Sequence, residues 1–276
     1  MKAVKKNKRH LSVMLILAAL LCLAAGDQYT ETARIKAGAG FITSDDLGNV
    51  FTVKDNRIEK YGPGGKKLHT YSNNYAGEIT FADTRDPFKI LLFYQDFGQV
   101  EFLDQTLSLS AGSVNLGQLG LGLASLACAS YQGGFWVYDP LNAELIRVSQ
   151  SLEISERTGN LQQATGFSLN PNFMIERDNF IYLNNPESGI LIFDKYGSYY
   201  KTIPVKGLRS FQVFNHRIIY TEKDQISIYD TRLHEVNTAV LPITGARSVA
   251  VCLSTRPQML FMLAGDELFF FHIGEE

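Results

Sequence analysis

The 276-residue sequence has little of what stabilises disulfide-rich or collagen-like chains. It contains only 3 Cys, 8 Pro and 1 Trp, and its 23 Gly show no Gly-X-Y period. A disulfide framework needs more cysteines and a collagen helix needs glycine at every third position, so both classes are excluded. Long apolar runs are also scarce, because the single one lies at the start of the chain, and this excludes a polytopic membrane protein. The remaining composition, 45% hydrophobic and 20% charged, is typical of a globular domain.

The apolar run at the start of the chain has the layout of an export signal. Five basic residues precede the apolar stretch 11–25, and Ala24-Ala25-Gly26 supplies the small residues of a cleavage site. The stretch is shorter than the roughly 20 residues of a spanning helix, although a retained membrane anchor is the alternative. Lipidation of Cys22 is disfavoured because Leu21 before it is not small. The sequence therefore predicts a signal in 1–26 and one domain in 27–276 that is periplasmic, envelope-associated or secreted.

Without the predicted signal, the chain has fewer positively charged residues than negatively charged ones. The signal holds five of the 26 Lys and Arg and none of the 28 Asp and Glu, so the mature chain carries 21 positive charges, 28 negative ones and a net charge of −7. A negative surface repels nucleic-acid phosphates and anionic lipid. We therefore expect no nucleic-acid partner, and no transmembrane span after cleavage. Cys128 and Cys252 remain, both in apolar segments, and we predict that they are buried and not bonded to each other.

A β-hairpin pattern recurs six times along the mature chain. Each copy has a β-rich strand, a polar turn and a second β-rich strand that ends in a bulky residue. The copies are 49–61, 89–103, 134–148, 180–193, 217–229 and 259–271. The closing residues are 42, 45, 45, 36 and 42 positions apart. This period is the size of a four-stranded propeller blade.

The segments around each hairpin predict the other two strands of a blade. Small and β-branched residues before each hairpin indicate an innermost strand, and more polar segments after it indicate a solvated outer strand. The sixth copy has no segment after it, but Tyr29–Ile35 alternates as an outer strand does. We therefore predict an all-β, monomeric, six-bladed β-propeller of four-stranded blades, with the last blade closed by the N-terminal strand of the mature chain. A β-sandwich with extra strands is the alternative, but sandwich strands do not recur with this period.

The first copy resembles an NHL repeat. Residues 48–61 read Gly-Asn-Val-Phe-Thr-Val-Lys-Asp-Asn-Arg-Ile-Glu-Lys-Tyr, and a turn glycine at Gly65 then precedes Lys-Lys-Leu, as in that family. Residues 192–199 resemble only the end of the motif, and the other copies keep the hairpin without the signature. The resemblance implies a six-bladed propeller. It also implies a binding platform or, less often, a lyase.

Residues 44–51 also fit the Asp-box pattern of sialidase propellers, Ser-x-Asp-x-Gly-x-x-aromatic. The Asp of such a box caps backbone N–H groups while the Gly takes a positive φ, so the box is a turn device. The arginine cluster and the Tyr/Glu pair that sialidase-like hydrolysis needs are not evident. The box therefore predicts a stable hairpin and not a glycosidase.

An acidic residue occurs in the b–c turn of every copy, the turn between the two hairpin strands. Because all b–c turns of a propeller emerge on one face, these carboxylates would ring one mouth of the central channel and suit a cation or a basic partner. Asp is also common in tight turns for local reasons, and no turn has the spacing of a calcium loop. The candidate binding-face residues are Asp55, Asp96, Asp139, Glu187, Asp224 and Asp266.

The a–b turns, on the opposite face, carry mixed charges such as Arg85-Asp86 and Arg177-Asp178-Asn179, and we predict that they are solvated. The mature histidines lack metal-binding spacing, the glycines at 117–122 are not a dinucleotide fingerprint, and no nucleophile elbow occurs. The sequence therefore predicts no catalytic residues, no metal and no cofactor.

Two functions follow from these patterns. The favoured one is a noncatalytic, exported propeller that presents a rigid face to a protein partner as part of an envelope assembly. The alternative is a propeller enzyme, either a carbohydrate-active hydrolase or lyase or a small-molecule hydrolase, with a site in the central channel. A polar channel with paired carboxylates would favour the enzyme, and a channel plugged by Phe, Met and Leu would argue against it.

Overall fold

The computed structural model describes residues 28–110 and 112–274. These residues form six antiparallel sheets of four strands each, so the predicted all-β, six-bladed propeller is confirmed. We call the strands of a blade a, b, c and d, from the innermost to the outermost. The predicted export signal in 1–26 lies outside the described residues.

The blades follow one another along the chain after an initial strand, β1 (Tyr29–Lys36), that belongs to the last of them. Blade 1 consists of β2 (Phe41–Ser44), β3 (Val50–Lys54), β4 (Arg57–Tyr61) and β5 (Lys67–Ser72). Blade 2 consists of β6 (Phe81–Asp83), β7 (Ile90–Tyr94), β8 (Gln99–Leu103) and β9 (Val114–Asn115). Blade 3 consists of β10 (Leu126–Ala129), β11 (Phe135–Asp139), β12 (Glu144–Val148) and β13 (Ile154–Arg157).

The second half of the ring follows a short helix, α1 (Leu161–Thr165). Blade 4 consists of β14 (Phe173–Arg177), β15 (Phe180–Asn185), β16 (Gly189–Asp194) and β17 (Tyr199–Ile203). Blade 5 consists of β18 (Gln212–Phe214), β19 (Arg217–Glu222), β20 (Gln225–Asp230) and β21 (Glu235–Val240). Blade 6 consists of β22 (Ser248–Cys252), β23 (Gln258–Ala264), β24 (Glu267–Ile273) and β1. Within residues 28–110 and 112–274, no helix has the length and apolar character needed to cross a membrane.

All six predicted hairpins are b–c strand pairs. In blade 1, for example, Val50 pairs with Tyr61 and Lys54 with Arg57 across the turn. The bulky residues that close the hairpins lie between blades, where they are buried or, for Tyr229, half-buried. Their burial explains why the sequence repeats a large apolar side chain at this position, because each blade needs one to pack against its neighbour.

The two chain ends share the sixth blade, as the sequence predicts. Strand β1 pairs antiparallel with β24, from Tyr29 opposite Ile273 to Lys36 opposite Glu267. The N–H of Gly274 donates to the carbonyl of Gln28 at 2.9 Å, so the pairing extends to the end of the described chain. Because β1 comes from the start of the chain and the other three strands from its end, this blade closes the ring and covers an edge that would otherwise be free.

The cysteines Cys128 and Cys252 both lie in innermost strands and are buried and free. Cys128 belongs to β10 in blade 3, and Cys252 belongs to β22 in blade 6. The prediction that they are not bonded to each other is confirmed. Burial raises the pKa of the Cys128 thiol well above its ordinary value, so this side chain acts as a small apolar group and not as a nucleophile.

A buried carboxylate links blades 1 and 2. Glu101 is 1% exposed and accepts hydrogen bonds from the hydroxyls of Tyr94 (2.8 Å) and Tyr71 (3.0 Å) and from the amide of Asn73 (2.7 Å). Each donor satisfies part of a charge that would be costly to bury alone. The cluster therefore ties the outer strand of blade 1 to the b and c strands of blade 2.

This cluster predicts a loss of stability at alkaline pH. Burial raises the pKa of Tyr71 to about 12 and that of Tyr94 above its ordinary value, and the charge of Glu101 adds to both effects. Above pH 10 the unfolded chain releases protons that the folded chain retains, so the free energy of unfolding falls as the pH rises towards about 12. Urea unfolding at about pH 8 and about pH 11 should show a smaller decrease for a Tyr71→Phe, Tyr94→Phe double variant than for the wild type.

A Tyr131→Phe variant is the control for the alkaline experiment, because this tyrosine is exposed. Its decrease in stability between the two pH values should match that of the wild type. Equal decreases in the double variant and the wild type would contradict the proposed origin of the effect.

Candidate functional site

The predicted acidic residues lie on the face formed by the b–c turns and by the connections from each d strand to the next a strand, which we call the b–c face. Asp55, Asp96, Glu187 and Asp266 are exposed, and Asp139 and Asp224 are half-buried. Two of the six also stabilise loops. Asp139 accepts hydrogen bonds from the N–H of Leu141 and the amide of Asn142, and Asp224 accepts one from the N–H of Gly245.

The six acids do not form a uniformly negative ring. Five exposed basic residues occupy the same face on blades 4 to 6: Lys36, Lys206, Arg209, Lys223 and Arg247. Within residues 28–110 and 112–274, no group of three or more Asp, Glu, His or Cys side chains lies close enough together to hold a metal ion. A joint role for the six acids in binding stays a prediction, and the structure divides their face into two unlike halves.

The other half of the b–c face carries large apolar side chains. We call Tyr75, Phe97, Leu123 and Leu141 the b–c patch, and they are 90%, 57%, 69% and 75% exposed. The loops of the patch touch one another. A Cβ added to Gly77 would lie 2.7 Å from the ring of Phe97, and one added to Gly98 would lie 3.3 Å from the carbonyl of Gly122. The patch therefore extends across the tops of blades 2 and 3.

The loops that carry the b–c patch contain no basic residue, although exposed Lys54 and Arg57 lie in the b–c turn of blade 1 beside loop 73–80. The loops that form this half of the face are 73–80, 95–99, 115–125, 139–144 and 158–172, and they contain no Lys or Arg. Three acids with exposed or half-buried side chains, Glu78, Asp96 and Asp139, lie within them, and a fourth, Glu144, is buried and paired with Arg157. Because exposed apolar area of this kind is a common feature of protein-binding surfaces, the patch is the part of the face suited to a partner.

The central channel is the second candidate site. The innermost strands enclose a cavity of about 290 Å³ there. Towards the b–c face it is lined by phenylalanine rings, and Phe173 makes edge-to-face contacts with Phe81 (5.5 Å between centroids) and Phe211 (5.0 Å). Phe41 lines the same part of the cavity. Phenylalanine rings therefore predominate at this end, where Asn172 and Arg209 also line the cavity.

The opposite end of the channel, at the a–b turns, is charged. Arg177 is only 17% exposed, and its Nη2 donates to both carboxylate oxygens of Asp46 at 2.9 and 2.8 Å. Its Nε donates to the carbonyl of Val213 at 3.2 Å. Burial lowers the pKa of Arg177, and the positive charge of Arg85 lowers it further. Two guanidinium groups are thus held close together at this mouth.

The prediction that the a–b turns are solvated is therefore wrong for Arg177 and for part of Arg85. Both arginines line the cavity, and the Nε and Nη1 atoms of Arg85 are buried with no hydrogen-bond partner among the residues described. The sequence did contain a signal. Phe81, Asp83 and Arg85 alternate along one strand direction, as do Phe173, Ile175 and Arg177, and alternate residues of an innermost strand face the channel.

The predicted Asp box is a turn device, but its residues have different roles from those expected. Gly48 takes a positive φ of 82° as predicted. The carboxylate that caps the turn belongs to Asp45, which accepts from the N–H groups of Leu47 (3.0 Å) and Asn49 (2.8 Å). Asp46, the acid of the box pattern, binds Arg177 across the channel. Asp45 is buried, and burial raises its pKa above the ordinary value.

The channel meets neither of the two criteria set by the sequence. It is not plugged throughout by apolar side chains, because its a–b end holds arginines and carboxylates. It is not a polar pocket either, because its b–c end is lined by phenylalanines. The result is an amphipathic cavity, with phenylalanine rings and Arg209 at its b–c end and arginines and carboxylates at its a–b end.

Comparison with solved structures supports the propeller fold. The chain is similar to the WD40 domain of Pan2 from Neurospora crassa, with a TM-score of 0.61, 7% identity and coverage of 90% of this chain and 96% of that one. It is similar to streptogramin B lyase, with a TM-score of 0.56, 14% identity and coverage of 90% and 88%. A chain of the mitotic checkpoint complex gives a TM-score of 0.62, 9% identity and coverage of 89% and 92%.

The sequence matches no protein-family model and no curated protein. The resemblance of its first hairpin to an NHL repeat accordingly stays a prediction. Identities of 14% and below show the fold alone. Strand order, register and structural similarity agree on one conclusion, that this chain is a six-bladed β-propeller.

Proposed function

We propose that the protein is a noncatalytic, exported β-propeller that binds a protein partner through its b–c face, as a component of an assembly in the cell envelope. The observation that carries this proposal is the b–c patch, four large apolar side chains that are each more than half exposed. Large exposed apolar side chains grouped on one face of a soluble protein are a common sign of a binding surface. Export is supported by the basic and apolar layout of residues 1–26.

The chemistry of the patch defines its partner. Aromatic and leucine side chains provide apolar contact area, and the three acids in the surrounding loops attract positive charge. The partner we propose is therefore a protein segment that presents apolar side chains flanked by Lys or Arg. Such a complex weakens as salt concentration rises, because exposed charges are screened.

A site-specific photo-crosslinker tests the proposal in the native host. Placed at Phe97, in the b–c patch, it should capture a defined partner. Placed at Phe88, which is also exposed but lies in an a–b turn, it should not. A Leu141→Asp substitution should reduce capture at position 97 by about tenfold, because it places a charge at the apolar contact.

The captured protein should then bind the purified propeller directly, more weakly at high salt. Equal capture from positions 97 and 88, capture that Leu141→Asp leaves unchanged, or no capture at all would contradict the proposal. Mass spectrometry of the crosslinked peptide shows whether the contacting segment of the partner is basic and apolar.

The central cavity supports a second candidate, a propeller enzyme with its site in the channel. Arg85, Arg177 and Asp46 converge at the a–b mouth from three different blades, as the side chains of a site assembled across blades would. The similarity to streptogramin B lyase is compatible with this candidate. Substrate turnover abolished by Arg177→Gln, with the fold retained, would favour it over the binding platform.

A further inference from the structure

We propose that the central channel binds a small organic acid, with its carboxylate at Arg85 and Arg177 and its apolar part directed towards the phenylalanines of the b–c end. This inference is independent of the partner proposed for the b–c face. It rests on the unsatisfied hydrogen-bond donors of Arg85, on the fixed position of Arg177 and on the amphipathic lining of the cavity.

The side chain of Arg85 has buried hydrogen-bond donors that a ligand would satisfy. Its buried Nε and Nη1 atoms have no hydrogen-bond partner in the described part of the chain, and it forms no ion pair with a carboxylate there. A buried guanidinium N–H without an acceptor is costly, and a carboxylate accepts from such donors in short, charge-assisted bonds. An acid in the cavity would therefore supply what the surrounding side chains do not.

The neighbouring acids are already engaged. Asp83 also lines the cavity, and its carboxylate accepts a hydrogen bond from the N–H of Ala129 in the next blade at 3.2 Å. Asp46 accepts two bonds from Arg177. Asp46 thus pairs with one of the two guanidinium groups, and no carboxylate of the described residues accepts from the buried Nε and Nη1 of Arg85, which remain for an incoming anion.

Arg177 is held in place by the protein. Its bonds to Asp46 and to the carbonyl of Val213 involve Nη2 and Nε. A preorganised donor loses little side-chain entropy when a ligand arrives. Arg177 therefore fixes the position of the charged mouth, and Arg85 provides the donors that are free to bind.

The cavity sets the size and the polarity of the ligand. Its volume of about 290 Å³ equals the share of roughly ten water molecules in the liquid, which corresponds to a molecule of about ten non-hydrogen atoms. The phenylalanine rings towards the b–c end favour an apolar or aromatic group there. A phenyl-substituted or medium-chain carboxylic acid has both properties.

Titration calorimetry with a small panel tests the inference on the mature protein. The panel contains acetate, hexanoate, octanoate, 3-phenylpropionate, inorganic phosphate and the neutral 3-phenylpropanamide. We expect at least one of the longer acids to bind with a Kd of about 1 mM or tighter. Acetate should bind more weakly because it lacks the apolar part, and the amide should not bind because it lacks the charge.

An Arg85→Gln variant should weaken binding of the acid by about tenfold or more, because it removes the charge and donors of the guanidinium. Arg232→Gln is the matched control, since Arg232 is exposed and does not line this cavity. Its affinity for the acid should equal that of the wild type. If Arg85→Gln does not fold, Arg85→Lys replaces it and should weaken binding several-fold, because the planar donor group is lost.

Three results would overturn the inference. These are the absence of binding by every acid in the panel, equal affinity for the acid and the amide, and an affinity that Arg85 substitution does not change. Binding of phosphate in preference to every organic acid would also overturn it, because the apolar half of the cavity would then have no part in recognition.

Discussion

Removal of residues 27–35 from a chain that begins at Asp27 should lower its melting temperature by roughly 10 °C or more. Strand β1 provides the outer strand of blade 6. Tyr29 packs partly buried between blades 5 and 6, and Ala33 and Ile35 pack between blades 6 and 1. Burial of one larger apolar side chain contributes ~1.5–3 kcal/mol, so loss of the strand should cost about 3–5 kcal/mol. The unpaired edge of β24 should also promote aggregation.

The control for this truncation is the chain that begins at Asp27. Differential scanning fluorimetry compares it with the chain that begins at Lys36. A synthetic peptide of residues 27–35, added to the shortened chain, should restore part of the lost stability. Equal melting temperatures for the two chains would show that β1 does not close the ring.

A Phe271→Ser substitution should destabilise the fold by ~3–5 kcal/mol, the usual cost of removing a buried aromatic side chain. Phe271 is 4% exposed and stacks on Phe269, with ring centroids 6.4 Å apart and planes 15° from parallel. It packs in the cluster between blades 5 and 6, which also contains Ile219 and Leu260. The cavity left behind would open the contact between the two blades that meet at the closure.

Phe88→Ser is the matched control, since it makes the same chemical change at an exposed position. Urea unfolding should show a change of less than about 0.5 kcal/mol for this variant. If Phe271→Ser were equally mild, the contact between blades 5 and 6 would not depend on this ring.

The blade architecture could be predicted from sequence because each blade is built from local contacts. The b and c strands of a hairpin lie within about 15 residues of each other, so alternating apolar residues and polar turns mark each hairpin. The closing strand could be inferred as well, because the sixth hairpin lacked an outer strand and Tyr29–Ile35 had the right alternation. A recurring period is strong information about this fold.

The channel could not be predicted in the same way, because its contacts join distant residues. Asp46 and Arg177 are 131 positions apart, and no spacing rule connects them. An arginine beside an acid in a turn has the same sequence pattern whether it is solvated or turned towards the axis. The alternation of Phe173, Ile175 and Arg177 indicates that Arg177 faces the channel, but this inference requires that their strand is already known to be the innermost one.

The acidic and basic residues of the b–c face are unevenly distributed because its longer loops also contribute charges. The acids lie in the short b–c turns, which the sequence located correctly. The basic residues Lys206, Arg209 and Arg247 lie in the d-to-a connections, which also reach this face. Counting only the acids of the turns therefore left out these residues, and also Lys223, which lies in the b–c turn of blade 5 itself.

The closure of the ring also determines which face of the propeller points outward when the protein is attached through a terminus. Because Tyr29 lies opposite Ile273, both chain ends leave the sixth blade side by side, at the a–b side of the ring. A tag, a bead or a lipid leaflet that holds the protein by either terminus would lie beneath that side. The patch of Tyr75, Phe97, Leu123 and Leu141 would then point away from the anchor, towards whatever approaches from solution.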